Sequence, residues 1–524
     1  MYNIIVYGAT SAGVAAAVQA ARLGRKVLLI ANTEHIGGMT SSGLGATDIN
    51  NRRGIGGIAR EFYGQVYRHY ESAKSWVSQT PETYDRLLGT RFWFGRDEEL
   101  KIRWMFEPKV ATAIYLNMLT EAGVEVIRNE RLALGAEDAV EKKDGRIVGI
   151  RMESGKVYAA DLYIDAGYEG DLMALAGVSY TTGREANSQY GEKTNGVFDN
   201  GPLEGGGVSA YHVSGDPDSG LLPYVLPNSP GEKGEADHRV QAYCYRFTLS
   251  SDPDNRLPIE KPEGYDPKHH ELLARRFAVN PKLTLDDILT LTPIPNRKTD
   301  TNHVDFVGAN YAYANGHYAD RERIEAEHRA FTLGTLWFLA NDERVPELVR
   351  ADMRGWGLAA DEFTDNGGFP VQIYVREGRR MVSDYVMTEM SVKQRTAPES
   401  VGLGTYYFDS HYVSHYARDG LVHLEGTFWE DDELLYPISY QSIRPKREEC
   451  TNLLLPVTLS SSHAAYGSIR MEPVYMVLGQ SAAIAASLCL ELGVTVQDLP
   501  YEVLRAKLLE AGQVLDAEPS MWIM

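Results

Sequence analysis

Imidazoles, guanidiniums and closely spaced glycines mark where this chain could do chemistry. His463 follows Asn452–Val457, an apolar run that reads as a buried strand, in a Ser460-Ser461-Ser462-His463 loop. A neutral imidazole there could accept a proton; the competing role is a loop histidine capping the next turn. Tyr466 reads as packing or as a weak partner. Arg376, Arg379 and Arg380 have the i, i+3, i+4 spacing of one helical face, within a helix expected over 377–389. Such a face grips carboxylates in bidentate fashion. Asp384, four residues after Arg380, offers an internal partner, so Arg376 or Arg380 is the expected ligand contact. His411 and His415, with His423 downstream, have the H-x3-H spacing of a helical zinc site. Their surroundings, Tyr406 to Tyr416, read instead as extended chain, where i and i+4 lie about 13 Å apart. No metal is expected, and His411 stays a pocket candidate. His269-His270 reads as surface, and Glu327-His328 as a helix face.

The elements that must position these groups begin at the N-terminus. An apolar run from Tyr2 to Tyr7 stops at Gly8-Ala9-Thr10-Ser11-Ala12-Gly13. An Ala-rich stretch to Leu23 follows, and Val27–Ala31 closes the unit. This is a βαβ dinucleotide-binding pattern: Gly8 permits the turn, Gly13 lets the helix approach the sheet, and the free N–H groups at the helix start would face a pyrophosphate. Two positions depart from the fingerprint. Thr10 replaces the middle glycine, and Ala31 and Asn32 stand where an acid would bond the ribose. Asn32 could still do so through its amide. Beyond lie Gly37, Gly38, Met39, Thr40, Gly43, Leu44 and Gly45, a run implying backbone packed against something flat or phosphorylated.

Composition excludes several classes. The 524 residues are 44% hydrophobic and 24% charged, as in a globular protein of two domains or of one domain with a large insertion. A net charge of −20 opposes nucleic acid and anionic membranes as partners. No leader and no membrane-length apolar run is read, so a cytoplasmic protein is expected. Three cysteines (Cys244, Cys450, Cys489) without a C-x-x-C pair provide no dithiol centre. Redox chemistry would therefore need a bound cofactor. The 31 tyrosines suit a hydroxyl-rich ligand surface or β-rich packing equally.

Periodicity predicts helices over 57–74, from Pro108 to near Gly123, over 319–354 and over 474–492. Strands are expected at 124–127, 240–249 and 452–457, with a meander at 131–137, 146–153 and 156–164. The fold class is α/β: a Rossmann-like domain built from both chain ends, residues 1–180 and 445–524, with a large α+β substrate or cap domain at 181–444.

The chain resembles the bacterial FAD-dependent oxidoreductases of the glutathione-reductase superfold, often labelled xanthan lyase-like. The resemblance lies in Val6–Gly13, Ile36–Thr40, Asp165–Leu172, Gly183-Arg184-Glu185, Tyr374–Met381, Lys446–Leu453 and Ser461–Pro473. Asp409-Ser410-His411 also resembles a family segment. Carried over, the resemblance implies FAD, with Gly8, Ala9, Thr10, Ser11, Ala12 and Gly13 at its pyrophosphate. Gly37 to Thr40 would lie along the phosphates and ribityl chain. Ala166 and Gly167 would form the strand end returning beside the cofactor. Arg470, Met471 and Glu472 would precede a helix N-terminus that stabilises the reduced ring.

The expected function is therefore an FAD-dependent oxidoreductase passing hydride to flavin N5 from a small polar, carbohydrate-derived CH–OH or CH–NH substrate. His463 is the preferred proton acceptor, and the electron acceptor is left open. Two alternatives stand beside it: a non-redox carbohydrate lyase or hydrolase with FAD structural or transiently used, and a non-catalytic flavin-binding sensor or subunit.

Overall fold

In a computed structural model, which describes residues 1–89, 95–430, 434–518 and 521, the N-terminal pattern forms a parallel sheet. Strand β1 (Tyr2–Tyr7) leads through helix α1 (Ser11–Arg22) to β2 (Val27–Ile30). Helix α2 (Pro108–Ala122) precedes β3 (Glu125–Ile127), and β4 (Ala160–Asp165) follows. Far along the chain, after helix α3 (Tyr318–Asn341), β5 (Leu453–Leu454) adds an edge. The spatial order is β5-β4-β1-β2-β3, and every pair is parallel. Tyr7 pairs with Ile30 on one side and Asp165 on the other, so three strand ends meet at the Gly8 turn.

Close backbone approach explains the residues at that turn. A Cβ on Gly13 would lie 1.9 Å from the Gly8 carbonyl oxygen, and one on Gly8 would lie 2.5 Å from the Gly167 nitrogen. Thr10 N-caps α1: its hydroxyl accepts from the Gly13 N–H at 3.2 Å and donates to the Ala166 carbonyl at 2.7 Å. Two further helices complete this layer, α4 (His463–Ile469) and α5 (Glu472–Leu492). Helix α5 lies on α1 so closely that a Cβ at Gly479 would sit 2.2 Å from the Ala12 carbonyl oxygen.

Outside this sheet the chain builds small, mostly antiparallel sheets. One combines Thr248–Ser250 with Lys298–Asp300 and Gly357–Ala359. Another pairs Ser414–Arg418 with Leu421–Glu425.

Several sequence expectations change. Residues 377–388 hold no helix, and one begins only at Glu389 (Glu389–Lys393). Arg380–Met381 is a short strand, because Arg376, Arg379 and Arg380 are each drawn to a different distant carboxylate, Asp305, Asp171 and Glu185. The block at 319–354 is two helices, α3 and Glu347–Met353, separated at Pro346, which cannot continue a helix. The meander's first strand is Val140–Lys143 rather than 131–137, since the Asp144-Gly145 turn pairs the residues flanking it. The strand expected at 240–249 is confined to Thr248–Ser250. Strand β5 stops after two residues, just short of Pro456, which has no N–H for the ladder. Among the described residues α5 is long and apolar enough to cross a membrane, with a mean hydropathy of 1.5, but 94% of that stretch is buried inside the protein.

Candidate functional site

Ser11 at the start of α1 and Glu472 at the start of α5 are 461 residues apart and share a hydrogen bond of 2.5 Å. The same Glu472 carboxylate accepts from the Thr40 hydroxyl at 2.9 Å and the Tyr168 hydroxyl at 2.7 Å. The Met39 N–H donates to Tyr168 Oη at 2.9 Å. All four segments are buried, with Ser11 and Thr40 fully so. Burial pushes the Glu472 carboxyl up, while the hydroxyls of Ser11, Tyr168 and Thr40 pull it back. Ala9 O accepts from the Gly37 N–H at 2.7 Å, which joins the two glycine turns directly. Ala12, Ala31, Gly38, Leu44, Ala166 and Met471 are buried, and Asn32 is half-buried. Gly43 and Gly45 pack away from it, against the Arg246 backbone and against Phe106 and Ile294.

These donors suit an anion: three hydroxyls, the Thr40 backbone N–H and the starts of two helices converge on one negative group. The residues present thus fit a diphosphate in kind, and in this structure a carboxylate holds them.

A cavity of about 790 Å³ opens elsewhere on the molecule, lined by Tyr224, His269, His303, Asp305, Phe306, Asp409, His411, His415, Phe428 and Trp429 among others. His411 Nδ1 meets Asp305 Oδ2 at 2.6 Å, and Asp305 Oδ1 pairs with the buried Arg376 guanidinium at 2.9 Å. The carboxylate fixes the tautomer: Nδ1 carries the proton, leaving Nε2 unprotonated on a side chain that lines the cavity. Burial and the Arg376 cation push His411 down to about 4, against the pull of Asp305. Burial raises Asp305, yet Arg376 and His411 together hold it well below the usual carboxylate range. His303, at a left-handed φ of 62°, stacks obliquely 5.4 Å from His411 and is held through Nδ1 by Thr290 Oγ1 at 2.6 Å. This is a neutral imidazole backed by a carboxylate, the arrangement of a general base.

The turn between α4 and α5 links a cavity-wall residue to the segment that carries Glu472. Arg470 bonds Asp409 Oδ2, on the cavity wall, at 3.0 Å, and also Tyr374 Oη at 3.0 Å. Two residues later comes Glu472.

His463 heads helix α4 and is completely buried, rather than sitting in a loop that reaches a surface. Ser462, not His463, supplies the helix cap through its side chain. His463 Nδ1 meets Glu377 Oε2 at 2.7 Å, and Nε2 has no protein partner. Burial, then Arg380 and Arg184, push it well below the ordinary histidine value. Glu377 also accepts from Gln241 Nε2 at 2.9 Å, and Gln241 Oε1 accepts the His411 backbone N–H at 3.1 Å. The two imidazoles are therefore joined through Glu377 and Gln241. Phe428, on the cavity wall, packs edge-on against His463.

The arginines are spent inside the protein. Arg376 donates to the Ala242 carbonyl at 2.6 Å besides pairing with Asp305. Arg380 is fully buried between Glu377, Glu185 and the Ser461 carbonyl, and its expected partner Asp384 plays no part. Neither offers a free face to a ligand. Tyr466 is buried and shares a 2.7 Å hydrogen bond with Tyr475.

His269 and His270 are a correction of another kind. Both line the cavity, and His270 is buried, stacked between Tyr265 and Phe331. Aromatic packing from α3 outweighs their polar sequence neighbourhood. Asp305 was not singled out from the sequence, although His303-x-Asp305 sets an imidazole and a carboxylate two residues apart, a pattern that marks it. His411 and His415 reach the same cavity, His415 from the strand Ser414–Arg418 and His411 from the turn before it. Among the described residues one carboxylate triad has metal-like spacing, Glu107, Asp361 and Glu362. The Lys298 ammonium sits on all three, at 2.7, 2.6 and 2.7 Å respectively.

A family model described as FAD dependent oxidoreductase matches residues 3–508. No curated protein matches the chain. Among solved structures, an L-amino acid deaminase from Proteus vulgaris is similar at 16% identity and a TM-score of 0.24, over 35% of this chain and 51% of its own. A glycine oxidase from Geobacillus kaustophilus is similar at 14% identity and a TM-score of 0.23, over 34% of this chain and 59% of its own. An L-proline dehydrogenase from P.horikoshii is similar at 15% identity and a TM-score of 0.23, over 35% and 58%. This chain thus spans between half and three-fifths of the length of these structures, and likeness at such scores carries no argument about substrate.

Proposed function

The chain belongs to the FAD-dependent oxidoreductase family, and from that premise we propose that it oxidises a small polar CH–OH or CH–NH substrate held in the His411 cavity. FAD is the cofactor, and when bound it supplies the hydride acceptor. Ser11, Thr40 and the N-termini of α1 and α5 would hold its diphosphate. The donor chemistry of the cradle supports that assignment. The family residues at both chain ends meet in one sheet, which supports a cofactor domain made from 1–180 and 445–524 with 181–444 as the substrate-facing part.

The proton that accompanies hydride loss goes to His411 Nε2 in this reading. Asp305 holds the ring from behind and stabilises the imidazolium that forms, while Arg376 keeps Asp305 ionised. His463 acts one step removed, by holding Glu377 and through it Gln241 and the His411 backbone. It is a positioning residue. The aromatic walls, including Phe306, Phe428 and Trp429, would stack on a ring and exclude water. A carbohydrate-derived substrate is the narrower expectation, and it rests on the sequence resemblance.

The Asp305–His411 pair on a cavity wall tied to the cradle by Arg470 carries this reading. Its test is anaerobic addition of pooled alcohols, sugars, uronates, amines and amino acids to the FAD-loaded protein. Loss of the oxidised-flavin absorption near ~450 nm with one pool is the expected result, and identifies the class. No bleaching with any pool, by a protein that does bind FAD, would sink the oxidase reading.

A further inference from the structure

Glu472 is a buried carboxylate, 4% exposed, that forms no ion pair with a lysine, arginine or histidine among the described residues. Buried carboxylates ordinarily acquire a cation or protonate. This one is satisfied by the Ser11, Thr40 and Tyr168 hydroxyls at 2.5, 2.9 and 2.7 Å. Four phenols feel its charge: Tyr168 from the loop after β4, Tyr115 from α2, Tyr63 from the helix Gly57–Tyr70, and Tyr475 one turn along α5. Its negative charge raises each of them further and none offsets it. A site with three hydroxyl donors and two helix starts therefore accommodates one anion, and the Arg470 cation two residues before Glu472 is already paired with Asp409.

We propose that Glu472 is an internal competitor for the FAD diphosphate, holding the donors the cofactor needs, so that FAD enters only as Glu472 is displaced or takes up a proton. This rests on the cofactor reading above. The diphosphate keeps its charge at neutral pH, so two anions compete for one set of donors. Repulsion between them is relieved by adding one proton to Glu472, and FAD affinity then rises as pH falls. Riboflavin, which lacks phosphate, brings no competing charge.

The experiment is a fluorescence titration of the full-length protein with FAD, ADP and riboflavin between about pH 5.5 and 8.5, comparing wild type with Glu472→Gln. The amide keeps the shape and removes the charge. The expected result at about pH 8 is FAD and ADP binding at least tenfold tighter in the variant. Wild-type affinity should weaken by up to tenfold per pH unit, and the variant's should stay flat. Riboflavin should not distinguish the two. If Glu472→Gln folds poorly, the wild type decides alone: FAD and ADP affinities that do not change with pH overturn the competition. FAD binding that is equal or weaker in Glu472→Gln, with the same pH slope, overturns the competition while leaving the cofactor reading intact. Failure of both proteins to bind FAD overturns both.

Discussion

Asp165 shows at the residue scale how burial writes pH dependence into this protein. It ends β4 fully buried, and accepts the Gly167 and Met173 N–H groups at 3.1 and 3.0 Å. Burial, reinforced by the nearby Asp171 and Glu169 charges, lifts it to about 7, against those two N–H bonds. A folded-state value above the unfolded one gives stability that is complete below the unfolded value near pH 3.8 and is lost as pH rises towards 7. Asp165→Asn removes that loss along with one N–H acceptor. The stability of wild type relative to the variant should fall from pH 5 to pH 8 by up to about 3 kcal/mol, measured by denaturant unfolding at each pH. An unchanged gap would mean that Asp165 stays neutral or ionised throughout. Single residues were also the least legible level of the sequence. His411 could be singled out, but its partner Asp305 lies 106 positions away, and the Arg376–Arg380 spacing suggested a helix face because local spacing is silent about distant carboxylates.

Elements were more legible. The β1-α1-β2 unit follows from local periodicity and glycine placement, and the structure forms it with the expected turn at Gly8. Expectations failed where tertiary partners set the boundaries, as in the short β5 and the split at Pro346. The contact of α1 with α5 is the element-scale feature on which the cradle depends, since Ser11 and Glu472 meet at its end. Gly479→Ala would drive a Cβ into the Ala12 carbonyl, and the helices must separate to admit it. We expect about 1–3 kcal/mol of destabilisation and weaker FAD binding than in wild type. Chemical denaturation and FAD fluorescence check this, and a variant with wild-type values in both would show that the helix contact has slack.

At the scale of the whole molecule, chain ends more than 400 residues apart build one sheet and one anion cradle, while the segment between them supplies the cavity wall. The cofactor layer cannot be completed until α5 has been made. A chain ending at residue 444 lacks β5, α4 and α5, leaving the apolar, Ala-rich face of α1 uncovered. Such a truncation should neither unfold cooperatively nor bind FAD, as judged by calorimetry and fluorescence. A folded, FAD-binding truncation would contradict the two-ended architecture. The central claim concerns the assembled enzyme: His411, backed by Asp305, takes the proton as substrate is oxidised. The most direct test is the rate of anaerobic flavin bleaching against pH, with the active substrate pool, in wild type, His411→Asn and His463→Asn. The wild-type rate should rise with pH through about 4, where His411 loses its proton, and then level off. His411→Asn should fall by about 10²–10⁴-fold, and His463→Asn by less. Bleaching by His411→Asn at the wild-type rate, with the same pH profile, would contradict the account.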